Sequence, residues 1–345
     1  MPETRQRGSM TTSEFDLARA SEDFRSVLES HDDIWVTSHE SPDGDSIGAA
    51  LALQHVLAAR GKRVAAIRQH PYPRQYEALV GADRMGDVTK LAELFEPQVI
   101  ITVDIATFTR IGDVLEHIKP DTQVVNIDHH PGSAGPGRPC KFLDLVEPTY
   151  ASTTMLAYEL LETAWPGCVD QEAAMALYVG LITDTGCFRF TNTNTNTLRV
   201  ASELAARGAD PGTLAEQYMF RRRPASLKLL SEVLGSLEFH ADDRLATLRL
   251  TDDMLQRTGA RMDETEGFVN YATSVDGVHV AALLREAEPG HTRVSLRSSD
   301  FLDVSAVARE FGGGGHRNAA GLSLKDSIEN AQRLIVDAVQ RHLQS

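Results

Sequence analysis

Short apolar runs that alternate with helical segments dominate the first part of this chain. Residues 34–36, 64–67, 99–103 and 124–127 have the composition of buried strands, and the segments between them have helical character. Short apolar strands joined by helical crossovers form a parallel sheet that is covered on both faces. Ligands of such sheets bind at the carboxyl ends of the strands. The pattern therefore predicts an α/β domain with its site along one sheet edge.

Metal-capable side chains follow the first apolar run. His39, Asp43 and Asp45 lie within seven residues, and Pro42 and Gly44 between them disfavour a regular helix or strand. This stretch predicts a strand-to-helix loop whose side chains converge, with the next helix beginning near Asp45. Asp and Gly are also common in ordinary turns and caps, so a turn without a ligand remains the alternative for this stretch alone.

Acids and histidines recur after the later runs. Asp104 directly follows residues 99–103, and Asp128-His129-His130 follows residues 124–127. Two adjacent imidazoles after an acid supply a metal ligand, a second cation or proton donor, and a carboxylate that orients one ring. Asp184 follows a later apolar segment. The residues predicted to converge in loops at the sheet edge are His39, Asp43, Asp45, Asp104, His129 and Asp184.

The charge of this set predicts bound cations. Four carboxylates crowded together repel one another, whereas two divalent ions would neutralise them. Oxygen-rich ligation with two imidazoles favours Mn²⁺ or Mg²⁺ over metals that select thiolates. Asp104, alone on its strand, is the natural bridge between two ions.

The pattern changes after the basic stretch Arg221-Arg222-Arg223. Strands near residues 237–240, 245–250, 278–285 and 292–298 mix with helices near 262–274, 304–311 and 328–343, which predicts a smaller α+β domain with a mixed sheet. We therefore predict a disordered N-terminus at residues 1–14 and two domains at residues 15–222 and 223–345. The triple arginine is interpreted as a solvated linker face, with a phosphate contact as the alternative.

A glycine run at residues 312–315, followed by His316 and Arg317, is the unusual feature of the second domain. Ordering four glycines costs conformational entropy, so the run requires a reason. A backbone cradle for an anion is favoured, because repeated glycine permits close approach to a ligand. A flexible linker is the alternative.

Composition excludes several classes of function. The formal net charge of -15 argues against a protein that coats duplex nucleic acid, which needs a basic surface. No apolar run has the length of a membrane span, and the polar N-terminus, residues 1–14, has no apolar core of signal-peptide length. Three widely spaced cysteines suit reduced thiols rather than a disulfide framework. We therefore expect a cytoplasmic protein without a membrane partner.

The joint motif set resembles the DHH phosphoesterase superfamily. Asp128-His129-His130, the His39-x-x-x-Asp43-x-Asp45 motif, Asp104 and Asp184 match its catalytic domain. Arg297-Ser298 and the glycine run with His316 look like its DHH-associated substrate-binding domain. The resemblance implies an active site in the cleft between the two domains.

The resemblance also implies individual roles. It assigns His39, Asp43 and Asp104 to one Mn²⁺, and Asp45, Asp104, His129 and Asp184 to a second, with Mg²⁺ or Co²⁺ as substitutes. His130 would meet the scissile phosphate, and Asp128 would orient the two histidines. Substrate would be gripped by Arg297, Ser298, Gly313, Gly314, Gly315 and His316.

The implied activity is hydrolysis of phosphoester bonds by a hydroxide that the two metals activate. The substrates would be short single-stranded RNA or dinucleotides, cleaved to mononucleotides, and nucleoside bisphosphates such as 3'-phosphoadenosine 5'-phosphate. Long duplex nucleic acid is not expected as a partner, and a homodimer is left open. A cyclic dinucleotide phosphodiesterase and a nucleotide-sensing module without catalysis are the alternatives.

Overall fold

The computed structural model describes residues 15–130, 141–298 and 301–344. The chain divides into two compact units, with the division between Met219 and Phe220. The disordered N-terminus predicted for residues 1–14 lies outside the described residues. No helix within the described ranges is both long and apolar enough to cross a membrane.

The N-terminal unit is built on a six-stranded parallel sheet, as the alternating apolar runs predict. Its strand order is β3-β2-β1-β4-β5-β6. The chain therefore moves outward on one side of β1 and then restarts at β4 on the other side. This reversal creates a crevice at the carboxyl ends of β1 and β4, where ligands of such sheets bind. The strands are β1 Asp33–Thr37, β2 Arg63–Arg68, β3 Gly86–Asp87, β4 Val99–Val103, β5 Gln123–Asp128 and β6 Phe142–Val146.

The two faces of this sheet are covered differently. Side chains of successive strand residues point to opposite faces, so Ile34 and Val36 join a core beneath the α-helices while Trp35 joins a second core. That second core lies against the 3₁₀ segments Val88–Glu93 and Phe108–His117. The α-helices are α1 Leu17–Glu29, α2 Gly44–Ala59, α3 Thr153–Ala164, α4 Gln171–Asp184, α5 Thr195–Ala206 and α6 Pro211–Ala215.

Helices α2 and α4 pack closely because small residues lie at their contact. A Cβ on Gly48 would come within 2.4 Å of the Ala176 carbonyl oxygen, so only glycine allows this approach. Both helices are apolar on nearly all sides, as expected for helices buried between a sheet and further helices. This contact fixes the ends of α2 and α4, which carry three of the predicted ligands.

The C-terminal unit contains the predicted mixed sheet, with strand order β11-β12-β10-β9-β8-β7. All neighbours are antiparallel except β8 and β9. Separate apolar cores lie on its two faces. The strands are β7 Glu238–His240, β8 Leu245–Leu250, β9 Val280–Glu288, β10 His291–Ser298, β11 Gly314–His316 and β12 Ala319–Leu324. The helices are α7 Pro224–Leu234, α8 Asp252–Thr258, α9 Val269–Thr273, α10 Val304–Glu310 and α11 Ile328–Gln344.

Two local predictions for this unit need correction. The helix expected near residues 262–274 is split into a 3₁₀ turn, Met262–Thr265, and α9, because Gly267 adopts a positive φ of 77° between them. The glycine run is not wholly a loop, since Gly314–His316 forms the edge strand β11 and pairs with β12. The α/β class with a second, mixed-sheet unit is confirmed, whereas the predicted cleft site stays a prediction.

Candidate metal centre

The loop after β1 holds two of the predicted ligands, His39 and Asp43, by different contacts. His39 directs Nδ1 to the Glu40 carbonyl oxygen at 2.8 Å, which leaves Nε2 facing Asp104 Oδ2 at 3.4 Å. A backbone carbonyl on one imidazole nitrogen is the usual way to fix a ring for metal binding through the other. Asp43 caps α2, because its Oδ1 accepts from the amides of Asp45 and Ser46 at 3.1 Å each.

Asp45 is a buried carboxylate held by the N-terminus of α3. Its Oδ2 accepts from the amide of Thr153 at 2.7 Å, and its Oδ1 accepts from the amide of Thr154 at 2.9 Å and from the Thr154 hydroxyl at 2.6 Å. These donors and the helix terminus favour the ionised carboxylate. Helix α4 can approach this contact because a Cβ on Gly180 would lie only 2.3 Å from Thr154 Cγ2.

Asp104 is positioned by an unusual backbone conformation. It lies at the carboxyl end of β4 with φ +60°, a left-handed value that a non-glycine residue rarely adopts. Its amide donates to the Ile127 carbonyl oxygen at 3.0 Å, and the Thr153 hydroxyl donates to its Oδ1 at 3.3 Å. The turn at Asp104 thus ends the strand and aims the carboxylate at the histidines that follow β5.

The histidines after β5 are held by two separate anchors. Nε2 of His129 lies 3.0 Å from Asp184 Oδ2, while its Nδ1 lies 3.3 Å from the Tyr150 carbonyl oxygen. Nδ1 of His130 lies 2.7 Å from Oδ1 of Asp128, which also accepts the His129 amide at 2.8 Å. Asp128 therefore orients His130 directly and His129 through the backbone.

Asp184 reaches the same place from the end of a helix. It is the last residue of α4, so it ends a helix and does not lie in a loop at the sheet edge, where the sequence analysis placed all six ligands. The Asn192 amide group donates to the Asp184 carbonyl oxygen at 3.1 Å and to the Ala151 carbonyl oxygen at 3.0 Å. Asn192 thus ties the end of α4 to the segment before α3. Asp45 likewise lies in the first turn of a helix, α2.

All six predicted ligands converge in one place. Three sets of side chains each bring their ligand atoms within 4.8 Å of one another. Asp104 belongs to two of the sets, as expected of a bridging carboxylate, and His129 also belongs to two. The oxygen-rich donor chemistry, with each imidazole oriented through its second nitrogen, fits divalent cations. The sets are His39-Asp43-Asp104, Asp45-His129-Asp184 and Asp104-His129-His130.

The carboxylates of this site favour the charged form of its imidazoles. Burial lowers the pKa of His39, but the hydrogen bond with Asp104 and the charge of Asp43 outweigh it and raise the pKa to about 9. Burial also opposes the charged forms of His129 and His130, yet Asp184 raises the pKa of the first and Asp128 that of the second. Burial raises the pKa of the Asp104 carboxyl, but the three neighbouring imidazoles outweigh burial and hold this pKa below its ordinary value.

Two carboxylates remain incompletely neutralised. Burial and then the charges of Asp184 and Asp104 raise the pKa of Asp45 well above its ordinary value. Burial also raises the pKa of Asp184, although the hydrogen bond from His129 opposes this shift. The site therefore carries more negative charge than its own cations balance, which is the electrostatic condition for binding metal ions.

Thr153 and Thr154 are the functional residues that the sequence interpretation missed. A signal for them exists, since Ser152-Thr153-Thr154 precedes a helix and Ser152 caps that helix by accepting from the Met155 amide at 3.0 Å. The sequence indicates only the cap. The contacts with Asp45 and Asp104 depend on where α3 docks.

The predicted substrate-binding residues form a second group, in the C-terminal unit. Arg297 pairs with Ala319 across β10 and β12, and Ala319 pairs with His316 on the other side. The amide of Ser298 donates to the Asn318 carbonyl oxygen at 3.0 Å. These residues thus share one end of the mixed sheet. The side chain of His316 is not described by the structure.

The glycines of the run are not equivalent. A Cβ on Gly313 would lie 2.3 Å from the Gly321 carbonyl oxygen, and Gly315 has φ +140°. A Cβ on Gly314, in contrast, would meet no atom within 4 Å, and the φ of this residue lies outside the left-handed region. Close packing of the hairpin therefore requires glycine at 313 and 315, whereas Gly314 is open.

The chain matches the DHH family N-terminal domain over residues 33–181 and the DHHA1 domain over residues 242–345. It is 31% identical over 321 residues to the bifunctional oligoribonuclease and PAP phosphatase NrnA of Thermus thermophilus, with 90% of each chain covered. NrnA of Bacillus subtilis is 26% identical over 317 residues, covering 89% of this chain and 94% of the relative.

A solved structure shares this fold over nearly the whole chain. An exopolyphosphatase-related protein from Bacteroides fragilis matches with a TM-score of 0.86 at 26% identity, covering 95% of this chain and 98% of that chain. The DHH match contains five of the six predicted metal ligands and ends shortly before Asp184, whereas the DHHA1 match contains the whole group of predicted substrate-binding residues. The protein therefore belongs to the DHH family, with an N-terminal DHH domain and a C-terminal DHHA1 domain, and it is a hydrolase of phosphoester bonds.

Proposed function

We propose that this protein hydrolyses short oligoribonucleotides to mononucleotides and removes the 3'-phosphate of 3'-phosphoadenosine 5'-phosphate. The observation that carries the proposal is the convergence of six metal-capable side chains on the crevice between β1 and β4. Relatives aligned over about nine tenths of this chain are named oligoribonuclease and PAP phosphatase, which supports this choice of substrate. We also propose that the protein acts on these substrates in the cytoplasm.

The cofactor that we propose is a pair of Mn²⁺ ions, with Mg²⁺ or Co²⁺ as substitutes. His39, Asp43 and Asp104 would hold one ion, and Asp45, Asp104, His129 and Asp184 the other. When bound, the ions would supply an activated water nucleophile and would stabilise charge on the phosphate oxygens. Asp104 would fix the position of one ion relative to the other, because its backbone turn and the Thr153 hydroxyl restrict its carboxylate.

His130 is proposed to contact the scissile phosphate. It is oriented by Asp128 at 2.7 Å, and that contact raises the pKa of its imidazole although burial opposes the charged form. A charged imidazole at this position would attract the phosphate and could donate a proton to the departing oxygen. Asp128 would act by positioning, since its carboxylate also accepts the backbone amides of both histidines.

The C-terminal unit is proposed to grip the substrate. Arg297 suits a bidentate contact with a phosphate. Ser298 and His316 lie at the same end of the mixed sheet as Arg297, and the glycines at 313–315 lead into His316. The close approach of Gly313 to Gly321 keeps this hairpin tight. A remote grip of this kind would favour oligonucleotides over compounds that carry one isolated phosphodiester.

A cyclic dinucleotide phosphodiesterase is the second candidate. The cyclic-di-AMP phosphodiesterase PdeA of Listeria monocytogenes is 25% identical over 93% of this chain, which supports it. The alignment spans only 49% of that relative, however. We disfavour a sensing module without catalysis because all six predicted ligands fall in side-chain groups that could hold a metal ion.

A substrate panel tests the proposal. Turnover would be compared at equal substrate concentration with Mn²⁺, and again with a chelator. The substrates are linear dinucleotides, longer RNA, cyclic dinucleotides, 3'-phosphoadenosine 5'-phosphate and pyrophosphate. We expect the fastest turnover for short linear oligoribonucleotides, with loss of all activity in chelator. Preferential cleavage of cyclic dinucleotides would favour the second candidate, and activity that survives chelation would refute the metal mechanism.

A further inference from the structure

The segment between β10 and α10 carries the most exposed large apolar side chain in the described part of the chain. Phe301 is 66% exposed, whereas Leu302, which follows it, is buried in the core on one face of the mixed sheet. Leaving a phenyl ring in water forgoes the free energy that its burial would contribute. Single exposed apolar residues are common on protein surfaces, so the role of Phe301 must follow from what its ring contacts and where it lies.

The ring of Phe301 is stacked on an imidazole. The ring centroids of His279 and Phe301 lie 4.0 Å apart, and the angle between the two ring planes is 8°. The backbone of His279 is fixed in turn, because its amide donates to the Arg244 carbonyl oxygen at 2.8 Å. One face of the Phe301 ring is therefore covered by His279, and the exposed area of the side chain lies on the opposite face and the edge.

Hydrogen bonds fix the backbone on the C-terminal side of Phe301 to the residues that are proposed to grip the substrate. The Leu302 amide donates to the Ser298 hydroxyl at 3.2 Å. The Val304 amide donates to the carbonyl oxygen of Arg317, the residue after His316, at 2.9 Å. The position of Phe301 is thus set by the same strand ends that carry Ser298 and His316.

Both stacked rings lie at one end of the mixed sheet. Ser298 is the last residue of β10 and pairs with Val280, the residue after His279. Phe301 follows Ser298 by three residues, which limits the distance between their Cα atoms to about 11 Å. Arg297, the residue proposed to contact a phosphate, precedes Ser298 on the same strand. The exposed ring face is therefore a near neighbour of the proposed phosphate contact.

We propose that the exposed face of Phe301 stacks on a nucleobase of the oligonucleotide, with His279 supporting the ring from behind. This inference rests on the proposed function and adds a base contact to its phosphate contacts. Aromatic side chains stack on any base, because every base has a π-face. A ring that is already fixed loses little conformational freedom when the base arrives. Phe301 would thus select nucleotides over phosphate compounds without a base, with little preference among bases.

The surroundings of Phe301 favour a nucleobase over an apolar protein partner. Surfaces that bind protein partners present a wide apolar patch, whereas Leu302 is already buried and Asp303 caps α10. The base and the phosphate of a nucleotide are joined through one ribose. A phosphate held by Arg297 would therefore bring its base, or that of the adjacent nucleotide, within reach of the Phe301 ring.

The test compares Phe301→Ala and Phe301→Tyr with Phe239→Ala, using the Mn²⁺-loaded full-length enzyme. Phe239 is a matched control, because it is an exposed phenylalanine of the same unit, 43% exposed, on β7. Strand β7 and strand β11 are the two opposite edges of the mixed sheet. Each variant would be assayed on the dinucleotide pApA and on two abasic analogues, in which one or the other adenine is replaced by hydrogen.

We expect Phe301→Ala to raise KM for pApA about tenfold, the loss expected for one stack between a base and an aromatic ring, with kcat within about twofold. Phe301→Tyr keeps the ring and should keep the KM of the wild type. Because a stack is not an ionic contact, the ratio of KM between Phe301→Ala and the wild type should not change with salt. Equal KM values for Phe301→Ala and Phe239→Ala would overturn the inference.

The abasic analogues test the contact itself. If Phe301 stacks on one adenine, removing that adenine and removing the ring should each raise KM, and removing both should cost nothing further. One analogue should therefore have the same KM with the wild type and with Phe301→Ala, and its position identifies the stacked nucleotide. If Phe301→Ala raises KM for both analogues as much as for pApA, the ring does not contact a base and the inference is wrong.

The proposed function can fail separately. If the wild-type enzyme cleaves bis(4-nitrophenyl) phosphate but no oligonucleotide, the proposed function is wrong, and the fluorescence of Phe301→Trp then decides the inference. Quenching of the introduced indole by pApA in Phe301→Trp but not in Phe239→Trp would support it. Equal quenching in both variants, or none in either, would overturn it. The same measurement decides the inference if Phe301→Ala lowers Tm, because tryptophan keeps an aromatic ring at this position.

Discussion

The candidate metal centre and the cross-strand pair Arg285 and Arg293 have opposite charge imbalances. In the metal centre, Asp45 and Asp184 remain incompletely neutralised although three imidazoles lie nearby. In the mixed sheet, Arg285 of β9 and Arg293 of β10 lie directly opposite each other, and the described residues supply no ion pair for either of them. Unbalanced charge costs stability in both places. The N-terminal unit thus gathers negative charge that divalent ions would balance, whereas the C-terminal unit holds two like charges side by side.

The largest expected effect concerns the negative charge of the metal centre. Asp104→Asn should reduce turnover at least about 1000-fold, because it removes a ligand that two of the three sets share. Asp43→Asn is the control and should lose less, since Asp43 belongs to one set. Metal content by elemental analysis and turnover with Mn²⁺ would be measured for both. Unchanged metal content and rate in Asp104→Asn would disprove the shared role.

A second change tests the support for Asp45. Thr154→Val removes the hydroxyl that donates to Asp45 at 2.6 Å while retaining the β-branched shape and the backbone amide. Loss of such an outer partner should weaken metal affinity about 10- to 100-fold. Thr154→Ser keeps the hydroxyl and should retain most of the affinity. If titration with Mn²⁺ gives the same Kd for both variants, the hydroxyl does not position this ligand.

Proton release gives a third, smaller effect. A metal ion must displace the proton of His39, whose pKa is raised to about 9 although burial opposes it. Affinity at the His39 site should therefore rise about tenfold per pH unit between pH 7 and 8, since one proton is released per ion bound. Titration at pH 6, 7 and 8 tests this, with His39→Gln as the control that flattens the dependence. An affinity that levels off above pH 6.5 would contradict the raised pKa.

Stability of the metal-free protein should depend on pH in the opposite direction from metal affinity. Because the pKa of His39 is higher in the folded protein than its ordinary 6.5, its contribution is fully present below about pH 6.5. That contribution is lost as the pH rises towards 9. Thermal unfolding in chelator at pH 6 and 9 would therefore give a lower Tm at pH 9 for the wild type, with a smaller difference for His39→Gln.

The smallest effect distinguishes two acids within the metal centre itself. At pH 7 in chelator, Asp184→Asn should raise Tm by a few degrees, because burial raises the pKa of Asp184 and its charge destabilises the fold. Asp104→Asn should lower Tm, since the imidazoles hold the pKa of Asp104 low despite burial. If Tm shifts in the same direction in both variants, the imidazoles do not stabilise the charge of Asp104 in preference to that of Asp184.

The sequence indicates the ligands better than their supports. Asp104 and His129 follow their strands directly and His39 follows β1 after one residue, and the carboxyl ends of parallel strands meet at one edge. Thr154 could not be assigned in this way, because its contact with Asp45 joins residues 109 positions apart and depends on the docking of α3. Local spacing carries no information about such a contact.

Strand register explains the other omissions. Arg285 and Arg293 are ordinary residues of two strands in the sequence, and only their pairing across the sheet places the charges face to face. The glycine run is similar, since its need for glycine at 313 arises from the carbonyl oxygen of Gly321 on the neighbouring strand. Both features depend on partners that a single stretch of sequence does not reveal.

The contact between Asp45 and α3 bears on the biosynthesis of the protein. The carboxylate meets the Thr153 amide across 108 residues, and its metal-binding set is completed by Asp184. A nascent chain emerging from the ribosome carries Asp45 long before it carries either partner. Contacts this distant in sequence form late in folding, because chain closure must precede them. An ion held by Asp45, His129 and Asp184 would therefore be captured only after most of the N-terminal unit has been synthesised, too late to nucleate the folding of its first strands.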